Sequence, residues 1–338
     1  MEPVFNTDFL MPSDNYAAVM ESSVLPRLEE LQKPVMVPGF ESRPLYSVSY
    51  QAENAVGTVF LVHGFTENAY KYAELINSLL FSHFSVVAYD QRGHGRSWRD
   101  PGVSEPSVTH VDHFEEYVED LRCVCGHYQS EMPGPWFLFA HSMGGAVAVL
   151  FLEKYLDLFS AAVLSSPMIA PDLGGVPPVI ASAISRTACF FGRGRHHPFF
   201  MKPYSGPEDF ETSCATDYHR FSWYDSVKAS RPEFQNSVPS YRWALESVRV
   251  TPKILAPGAP ERVRCPVLLF SAETDHSVRP EAQSQFISRV ENGRLIPVHH
   301  SRHEIFRSTD DVLYPWWHEV LEFLQGAVKN AHGTGIEK

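Results

Sequence analysis

The sequence is poor in positive charge. Of its 338 residues, 28 are Lys or Arg and 40 are Asp or Glu, which gives a formal net charge of −12. This balance argues against a surface that binds nucleic acid, and against electrostatic docking of the whole chain on anionic lipid. We therefore expect no nucleic-acid partner.

Cysteine is also scarce, and the five cysteines form no recognisable set. The number is odd, and Cys123-Val-Cys125 is one residue too short for a CxxC motif. This pattern argues against a zinc or redox centre and predicts reduced thiols in a cytoplasmic protein. The histidine pairs 196–197 and 299–300 likewise have no ligand spacing, so we expect neither a metal nor an organic cofactor.

Long apolar runs are missing. The first 23 residues lack both the basic region and the apolar segment of a signal peptide. The longest apolar run, 146–152, is far too short to cross a bilayer. We expect a cytoplasmic protein that is at most peripheral at the inner face of the membrane.

Short apolar runs and helical patterns do alternate from about residue 46 onward. In 110–125, apolar residues recur at helical spacing with acidic residues between them. Such alternation predicts an α/β fold, in which helices cover both faces of a mostly parallel sheet. The strand-like runs are 58–62, 84–89, 136–140, 161–164, 267–270 and 294–298.

The alternation is interrupted at 168–262, which is rich in Pro, Gly and aromatic residues and holds no convincing buried strand. A structureless connection of that length is improbable in a compact domain, so we predict an inserted helical cap. The α/β core would comprise 45–167 and 263–338. Residues 1–44 would form an N-terminal arm with a helix over 16–31.

One turn of the core stands out chemically. The apolar run that ends at Ala140 is followed by His-Ser142-Met-Gly144 and then by a second apolar run. A small residue two positions before and after a serine is typical of the nucleophile elbow, where a strand turns directly into a helix. Ser142 is therefore a candidate nucleophile.

A serine nucleophile needs a base, and the base needs an acid that orients it. In a fold of this kind both should follow later strands, in the order acid and then histidine. Asp275 follows the run 267–270, with Glu273 as a rival acid. His303 follows the run 294–298, with His299 and His300 as rival bases.

The oxyanion of such a reaction also needs hydrogen-bond donors. The backbone N–H of Met143 follows the nucleophile, and the N–H of Phe65 follows the first buried strand, next to Gly64. We interpret His63 as a structural hydrogen-bonding residue. The loop 90–97 lacks the spacing of a phosphate-binding motif, so we interpret Asp90 and Arg92 as scaffold.

Five stretches in order, HGF, DQRGHGRS, AHSMGGA, ETDHSV and SRHEIF, together with YKYAEL and YRWALES, carry a family resemblance. From about residue 45 to 325 the chain resembles serine hydrolases of the α/β-hydrolase superfamily, and more closely bacterial lysophospholipases and monoacylglycerol lipases. Two positions depart from the family pattern: His300 and Ala272 each stand where glycine is usual.

The resemblance implies hydrolysis of a single acyl ester on a glycerol backbone, with the acyl chain bound by the cap. It implies Ser142 as nucleophile, His303 as base and Asp275 as acid, with Phe65 and Met143 as oxyanion donors. The substrate partner would be a small lipid or another acyl ester. The cap aromatics suit an apolar pocket and a transient contact with a membrane.

Other functions share parts of this pattern. A general carboxylesterase or thioesterase would use the same triad on another acyl donor, and a lyase or peroxidase of the same fold would share the serine. A non-enzymatic relative usually lacks a triad member, and none is missing here. A dehalogenase or epoxide hydrolase would need a carboxylate at position 142.

Overall fold

The computed structural model describes residues 11–333. Their strands are β1 (Gln32–Pro38), β2 (Pro44–Tyr50), β3 (Gly57–Val62), β4 (Phe84–Tyr89), β5 (Val108–Thr109), β6 (Trp136–His141), β7 (Ala161–Ser165), β8 (Val238–Pro239), β9 (Val267–Thr274) and β10 (Gly293–Arg302). Their helices are α1 (Tyr16–Val19), α2 (Leu25–Leu31), α3 (Ala73–Phe81), α4 (Glu115–Tyr128), α5 (Met143–Lys154), α6 (Pro178–Phe190), α7 (Tyr218–Ser230), α8 (Tyr241–Ile254), α9 (Pro280–Ile287) and α10 (Asp310–Gly333).

Eight of these strands form one sheet in the order β1-β2-β4-β3-β6-β7-β9-β10. From β4 to β10 every neighbouring pair is parallel, whereas β1 and β2 are antiparallel to their neighbours. Each of the six apolar runs lies within a strand of this sheet. The predicted α/β fold is confirmed.

Two strands of the sheet were not predicted. In β1 only Val37 is buried, and in β2 buried and partly exposed residues follow no clean alternation. β1 lies within the predicted arm 1–44, whose residues 16–31 form α1, α2 and the π-helical turn Met20–Val24 that joins them. The arm therefore supplies both helices and an edge strand.

The two faces of the sheet bury separate hydrophobic clusters. Along β3, Phe60 and Val62 point to the face covered by α4 and α5, and Val59 and Leu61 point to the face covered by α3 and α10. Residues alternate between the faces because successive side chains of a strand point in opposite directions. A sheet buried on both sides explains why its central strands are continuous apolar runs.

Between β7 and β9, the segment 168–262 holds α6, α7 and α8, and its one strand among the described residues is the two-residue β8, which pairs with β5. Within residues 11–333, none of the helices is both long enough and apolar enough to span a bilayer.

The last strand, β10, is irregular near the end that approaches the candidate site. Its pairing with β9 shifts register between Val298 and Arg302, and His300 has φ 56°. That left-handed conformation favours glycine, because a Cβ approaches the following carbonyl oxygen. It gives a physical reason why glycine is usual in the family at the position of His300.

We predict that His300→Gly leaves the protein as stable as the wild type or stabilises it by up to about 1.5 kcal/mol. Relief of the left-handed strain is worth roughly 1–2 kcal/mol, and the entropy lost by glycine costs roughly 0.5–1 kcal/mol. Urea unfolding measures the difference. The matched control is His299→Gly, at a position whose φ is not positive, which should destabilise by about 0.5–1 kcal/mol. Equal destabilisation by both substitutions would contradict the strain argument.

Candidate active site

Ser142 occupies the sharp turn between β6 and α5. Its backbone has φ 52° and ψ −121°, a conformation that an L residue rarely adopts. The turn is held by its own backbone: the Ser142 N–H donates to the Ser165 carbonyl at 3.2 Å, and the Ser142 carbonyl accepts from Gly145 and Met168, both at 2.8 Å. The strained serine is therefore fixed at the start of a buried helix.

Two glycines allow this turn to pack. A Cβ at Gly144 would lie 2.3 Å from the Val62 carbonyl oxygen and 2.5 Å from that of His63. A Cβ at Gly145 would lie 2.5 Å from the Cβ of Pro167. No side chain fits at either distance, so glycine at 144 lets the helix approach the end of β3, and glycine at 145 lets it approach Pro167 after β7.

The structure brings the three predicted triad residues together. His303 Nε2 lies 2.8 Å from Ser142 Oγ, and His303 Nδ1 lies 2.7 Å from Asp275 Oδ2. Ser142 follows β6, Asp275 follows β9 and His303 follows β10, so all three lie at the carboxyl ends of parallel strands, where open α/β sheets bind ligands. Ser142 and His303 are buried, and the side chain of Asp275 is only 1% exposed.

The surroundings of Asp275 keep its carboxyl group ionised. Its Oδ1 accepts hydrogen bonds from the N–H groups of Ser277 and Val278, at 2.8 and 3.1 Å. Burial acts to raise the pKa of Asp275, but these bonds and the one with His303 lower it overall. A charged acceptor at Nδ1 fixes the orientation of the imidazole ring and leaves Nε2 directed at the serine.

The rival residues pair with one another instead. Glu273 Oε1 lies 3.0 Å from His299 Nδ1, and Glu273 Oε2 accepts the N–H of His300 at 2.6 Å. The side chains of Glu273 and His299 are 45% and 71% exposed. This pair lies on the surface, whereas His303 and Asp275 reach Ser142.

The loop that carries Phe65 packs against the nucleophile. A Cβ added at Gly64 would lie 3.1 Å from Ser142 Cβ, so the backbone of this loop approaches the serine closely. The ring of Phe65 packs on Trp243 of α8, with 4.1 Å between the ring centroids and a tilt of 34° between the planes. Met143, the other predicted donor, is the first residue of α5, where backbone N–H groups have no partner within the helix.

His63 stabilises the same loop through hydrogen bonds with Gln91. The Gln91 N–H donates to His63 Nε2 at 2.9 Å, and the Gln91 side-chain amide donates to the His63 carbonyl at 2.6 Å. Burial lowers the pKa of His63, which keeps the ring neutral and able to accept. Arg92 pairs with Asp120 of α4 at 2.5 Å.

A buried charge network beneath the triad was not predicted from the sequence. Lys71 Nζ lies 2.8 Å from Glu67 and 2.6 Å from Glu304, and Arg307 lies 2.6 Å from the other oxygen of Glu304. Glu67 also accepts the N–H of Gly64 at 2.6 Å. The network thus ties the loop of Phe65 to the residue that follows His303. The spacings Glu67–Lys71 and Glu304–Arg307 are typical of helical ion pairs, but they give no sign that these pairs are buried.

The candidate triad opens into a cavity of about 550 Å³. Ser142, His303 and Phe65 line it, and most of the remaining lining residues belong to the segment 168–262 and are apolar. The volume falls in the range of small-molecule sites. The larger apolar side chains of the segment that line this cavity include Met168, Leu173, Val176, Ile184, Phe200, Met201, Trp243 and Val248.

We predict that Glu67→Gln destabilises the protein by about 3 kcal/mol, because it leaves part of the buried charge of Lys71 uncompensated. It should also slow labelling of Ser142 by a fluorophosphonate, since the loop of Phe65 loses its carboxylate anchor. Urea unfolding and labelling kinetics measure the two effects. Glu115→Gln, which breaks an exposed pair with Lys253, is the matched control and should cost less than about 1 kcal/mol.

We predict that the Glu67 carboxylate also contributes to the loss of stability of the wild type at acid pH. Burial acts to raise the pKa of Glu67, but Lys71 and His141 lower it from 4.5 to about 2. A lowered pKa contributes stability that is present above pH 4.5 and is lost as the pH falls towards 2. The Glu67→Gln variant should therefore lose less stability than the wild type over that interval. Parallel pH curves would contradict the assignment.

Comparisons with known proteins agree with this geometry. Lysophospholipase L2 of Escherichia coli (strain K12) is 28% identical over 303 residues, which cover 84% of this chain and 85% of that protein. A monoacylglycerol lipase of Mycolicibacterium smegmatis is 32% identical over 142 residues, which cover 42% of this chain and 48% of the relative.

Solved structures share the fold. The monoacylglycerol lipase of Paleococcus ferrophilus has a TM-score of 0.64 at 22% identity and covers 84% of this chain and 99% of its own. A soluble variant of monoglyceride lipase from Saccharomyces cerevisiae, in complex with a substrate analog, has a TM-score of 0.65 at 20% identity, with 87% and 97% covered.

At the level of the family, the match runs over residues 53–310 of the 338 and corresponds to the family described as "Serine aminopeptidase, S33". It includes the elbow at Ser142 and the strand ends that carry Asp275 and His303. The chain is a hydrolase of the α/β-hydrolase fold and belongs to this family.

Proposed function

We propose that this enzyme hydrolyses the acyl ester of a lysophospholipid or a monoacylglycerol through an acyl-enzyme on Ser142. In this proposal His303 is the general base and acid, and Asp275 orients and stabilises its imidazolium. The observation that carries the proposal is the hydrogen-bonded series Ser142–His303–Asp275, open to an apolar cavity of about 550 Å³.

The geometry fits an acyl transfer. His303 Nε2 takes the proton of Ser142 as Oγ attacks the ester carbonyl, and the alcohol leaves with that proton. Water then attacks the acyl-enzyme by the same steps. The N–H groups of Phe65 and Met143 would stabilise the tetrahedral oxyanion, and one such donor is typically worth about 3 kcal/mol of barrier.

The substrate class rests on the cavity and on the names of the relatives. We assign the segment 168–262 as a cap whose apolar side chains surround the acyl chain, between core segments 45–167 and 263–338. The head group would remain nearer the polar side of the cavity, which Asp172 and Ser277 help to line. A lysophospholipid and a monoglyceride share a single long acyl ester on glycerol, and this shared part is what the cavity would recognise.

We predict that Ser142→Ala abolishes fluorophosphonate labelling and lowers kcat by roughly 10⁶-fold, as for other serine hydrolases that lose the nucleophile. Asp275→Asn should lower kcat by roughly 10⁴-fold, since the imidazole loses its orientation and its charged partner. Glu273→Gln is the matched control and should change kcat less than about twofold, because Glu273 pairs only with exposed groups. Labelling that survives in Ser142→Ala, or a larger loss in Glu273→Gln than in Asp275→Asn, would contradict these roles.

A substrate panel separates the remaining functions. Lysophosphatidylcholine and a long-chain monoglyceride should be cleaved more efficiently, in kcat/KM, than a short-chain ester, an acyl thioester or an aminoacyl anilide. Preference for the short ester or the thioester would favour the carboxylesterase or thioesterase alternative. Preference for the anilide would favour a peptidase, which the family description names.

We further infer that the cap contacts lipid bilayers. Several of its large apolar side chains are exposed, including Phe190 at 84% and Phe199 at 85%. Exposed apolar residues Val176, Ile184 and Phe200 also line the cavity, so the apolar surface continues into it. The five cysteines are free thiols, which supports a cytoplasmic enzyme at the inner face of the membrane.

The charge of this part of the cap differs from that of the whole chain. Residues 173–202 contain no Asp or Glu, and their basic residues are Arg186, Arg193, Arg195 and Lys202. Although the whole chain has a net charge of −12, this segment is basic and apolar, a combination that favours binding to anionic lipid.

We predict that Phe190→Ser/Phe199→Ser lowers binding to phosphatidylcholine vesicles by at least about tenfold, since each buried phenyl ring is worth roughly 1.5–3 kcal/mol. Vesicles that include phosphatidylglycerol should bind the wild type more tightly. Cosedimentation measures both effects. Met36→Ser, at an exposed apolar residue of β1, is the control and should not change binding. Equal loss in both variants would contradict a contact through the cap.

A further inference from the structure

Outside the active site, three potential metal ligands converge where the core meets the cap. Asp100, His110 and Asp112 each direct one ligand atom into the same space, with all three atoms within 4.8 Å of one another. They belong to the core segment between β4 and α4, and none of them lines the cavity of the triad.

His110 is the central residue of this cluster. Its side chain is only 3% exposed, and its Nε2 has no hydrogen-bond partner. That nitrogen lies 3.7 Å from Asp100 Oδ2 and 3.3 Å from Asp112 Oδ1. A buried ring nitrogen directed at two carboxylates without a hydrogen bond is costly unless a cation joins them.

The spacing fits a small divalent ion. Bonds of about 2.0–2.1 Å from tetrahedral Zn²⁺ to nitrogen and oxygen place neighbouring ligand atoms about 3.3 Å apart. The distance from His110 Nε2 to Asp112 already has that value, and the distance to Asp100 exceeds it by a few tenths of an ångström. The ligand atoms of Asp100 and Asp112 lie within 4.8 Å of each other, and rotation of the carboxylates would complete a three-ligand set with one position open.

In His110 and Asp100, the second polar atom of the side chain, which is not one of the three converging atoms, already has a hydrogen-bond partner. His110 Nδ1 lies 2.8 Å from Ser240 Oγ, and Asp100 Oδ1 accepts the N–H of Gly102 at 2.7 Å. Metal-bound imidazoles commonly engage their second nitrogen in this way, which fixes the tautomer and the ring orientation. Ser240 belongs to the cap segment, where its Oγ also accepts the N–H of Trp243 at the start of α8.

Arg195, which belongs to the cap segment, forms ion pairs with the carboxylates of Asp100 and Asp112. Arg195 Nη2 lies 2.8 Å from Asp100 Oδ2 and 3.5 Å from Asp112, and Arg195 Nε lies 3.0 Å from Asp100. The arginine side chain is 45% exposed, so its guanidinium can leave without disturbing buried packing. Backbone bonds anchor its neighbours Gly194 and His196 to the first turn of α8.

We propose that Asp100, His110 and Asp112 form a binding site for a divalent transition-metal ion, Zn²⁺ above all, in which the ion and the guanidinium of Arg195 exclude each other. Imidazole selects Zn²⁺ over Mg²⁺ and Ca²⁺, which prefer oxygen ligands alone. An ion here would replace the salt bridge between the core and the cap loop 193–197. The sequence pattern did not indicate this site, because the ligands are spaced by ten and two residues in an irregular loop.

The test is a calorimetric titration of the full chain with Zn²⁺, and separately with Mg²⁺ and Ca²⁺. We expect one Zn²⁺ per chain, with binding weakened by at least about tenfold in His110→Ala. Asp112→Asn, at a half-exposed residue that does not threaten folding, should weaken it as well. Arg195→Ala should tighten Zn²⁺ binding severalfold, since the competing ion pair is lost.

His196→Ala is the matched control, because it removes an exposed histidine next to Arg195 and should leave Zn²⁺ binding unchanged. Fluorophosphonate labelling of Ser142 in every variant reports that the fold is intact, and this readout is independent of the substrate. The proposal is overturned if His110→Ala and Asp112→Asn bind Zn²⁺ as the wild type does, or if Arg195→Ala fails to tighten it. Equal binding of Ca²⁺ would also overturn it, since an acidic patch alone would then explain the result.

Discussion

The backbone conformation of Ser142 is the constraint on which the site depends. A left-handed residue directly between a buried strand and a buried helix lifts its side chain out of the core and gives the helix its starting point. The conformation is unfavourable in isolation. It persists because the backbone of the turn bonds to Ser165 and Met168, and because Gly144 lets the helix pack against β3. The same strand-to-helix turn places the N–H of Met143 beside the serine.

Parallel pairing of the strands brings the residues of the site together from distant parts of the chain. Ser142 and His303 are 161 residues apart, yet each follows a strand that ends at the same edge of the sheet. Each strand end is followed by a short loop, so a side chain one residue beyond it has little freedom to leave the site. Beneath the triad, the charges of Glu67, Lys71 and Glu304 join two of these loops, which makes their separation costly.

The central sheet and the convergence of Ser142, Asp275 and His303 could be predicted because their signals are local. Each central strand is a continuous apolar run, and Asp275 and His303 follow such runs in the order that the fold requires. Edge strand β1 could not be predicted, since only Val37 is buried and its pairing depends on a distant strand. The spacing of Glu67 and Lys71 is typical of an exposed helical pair, and nothing in the sequence reveals that both are buried. The convergence of Asp100, His110 and Asp112 depends on the path of an irregular loop, which no periodicity encodes.

The contact between Phe65 and Trp243 connects the proposed cap, which controls entry to the cavity, with the loop proposed to stabilise the oxyanion. Phe65 belongs to the loop proposed to stabilise the oxyanion, and Trp243 belongs to α8 in the proposed cap, so one pair of packed rings spans both parts. An outward swing of α8, wide enough to admit a long chain, would withdraw the support of that loop. Opening of the proposed cap and stabilisation of the oxyanion would therefore be coupled through this single contact between two rings.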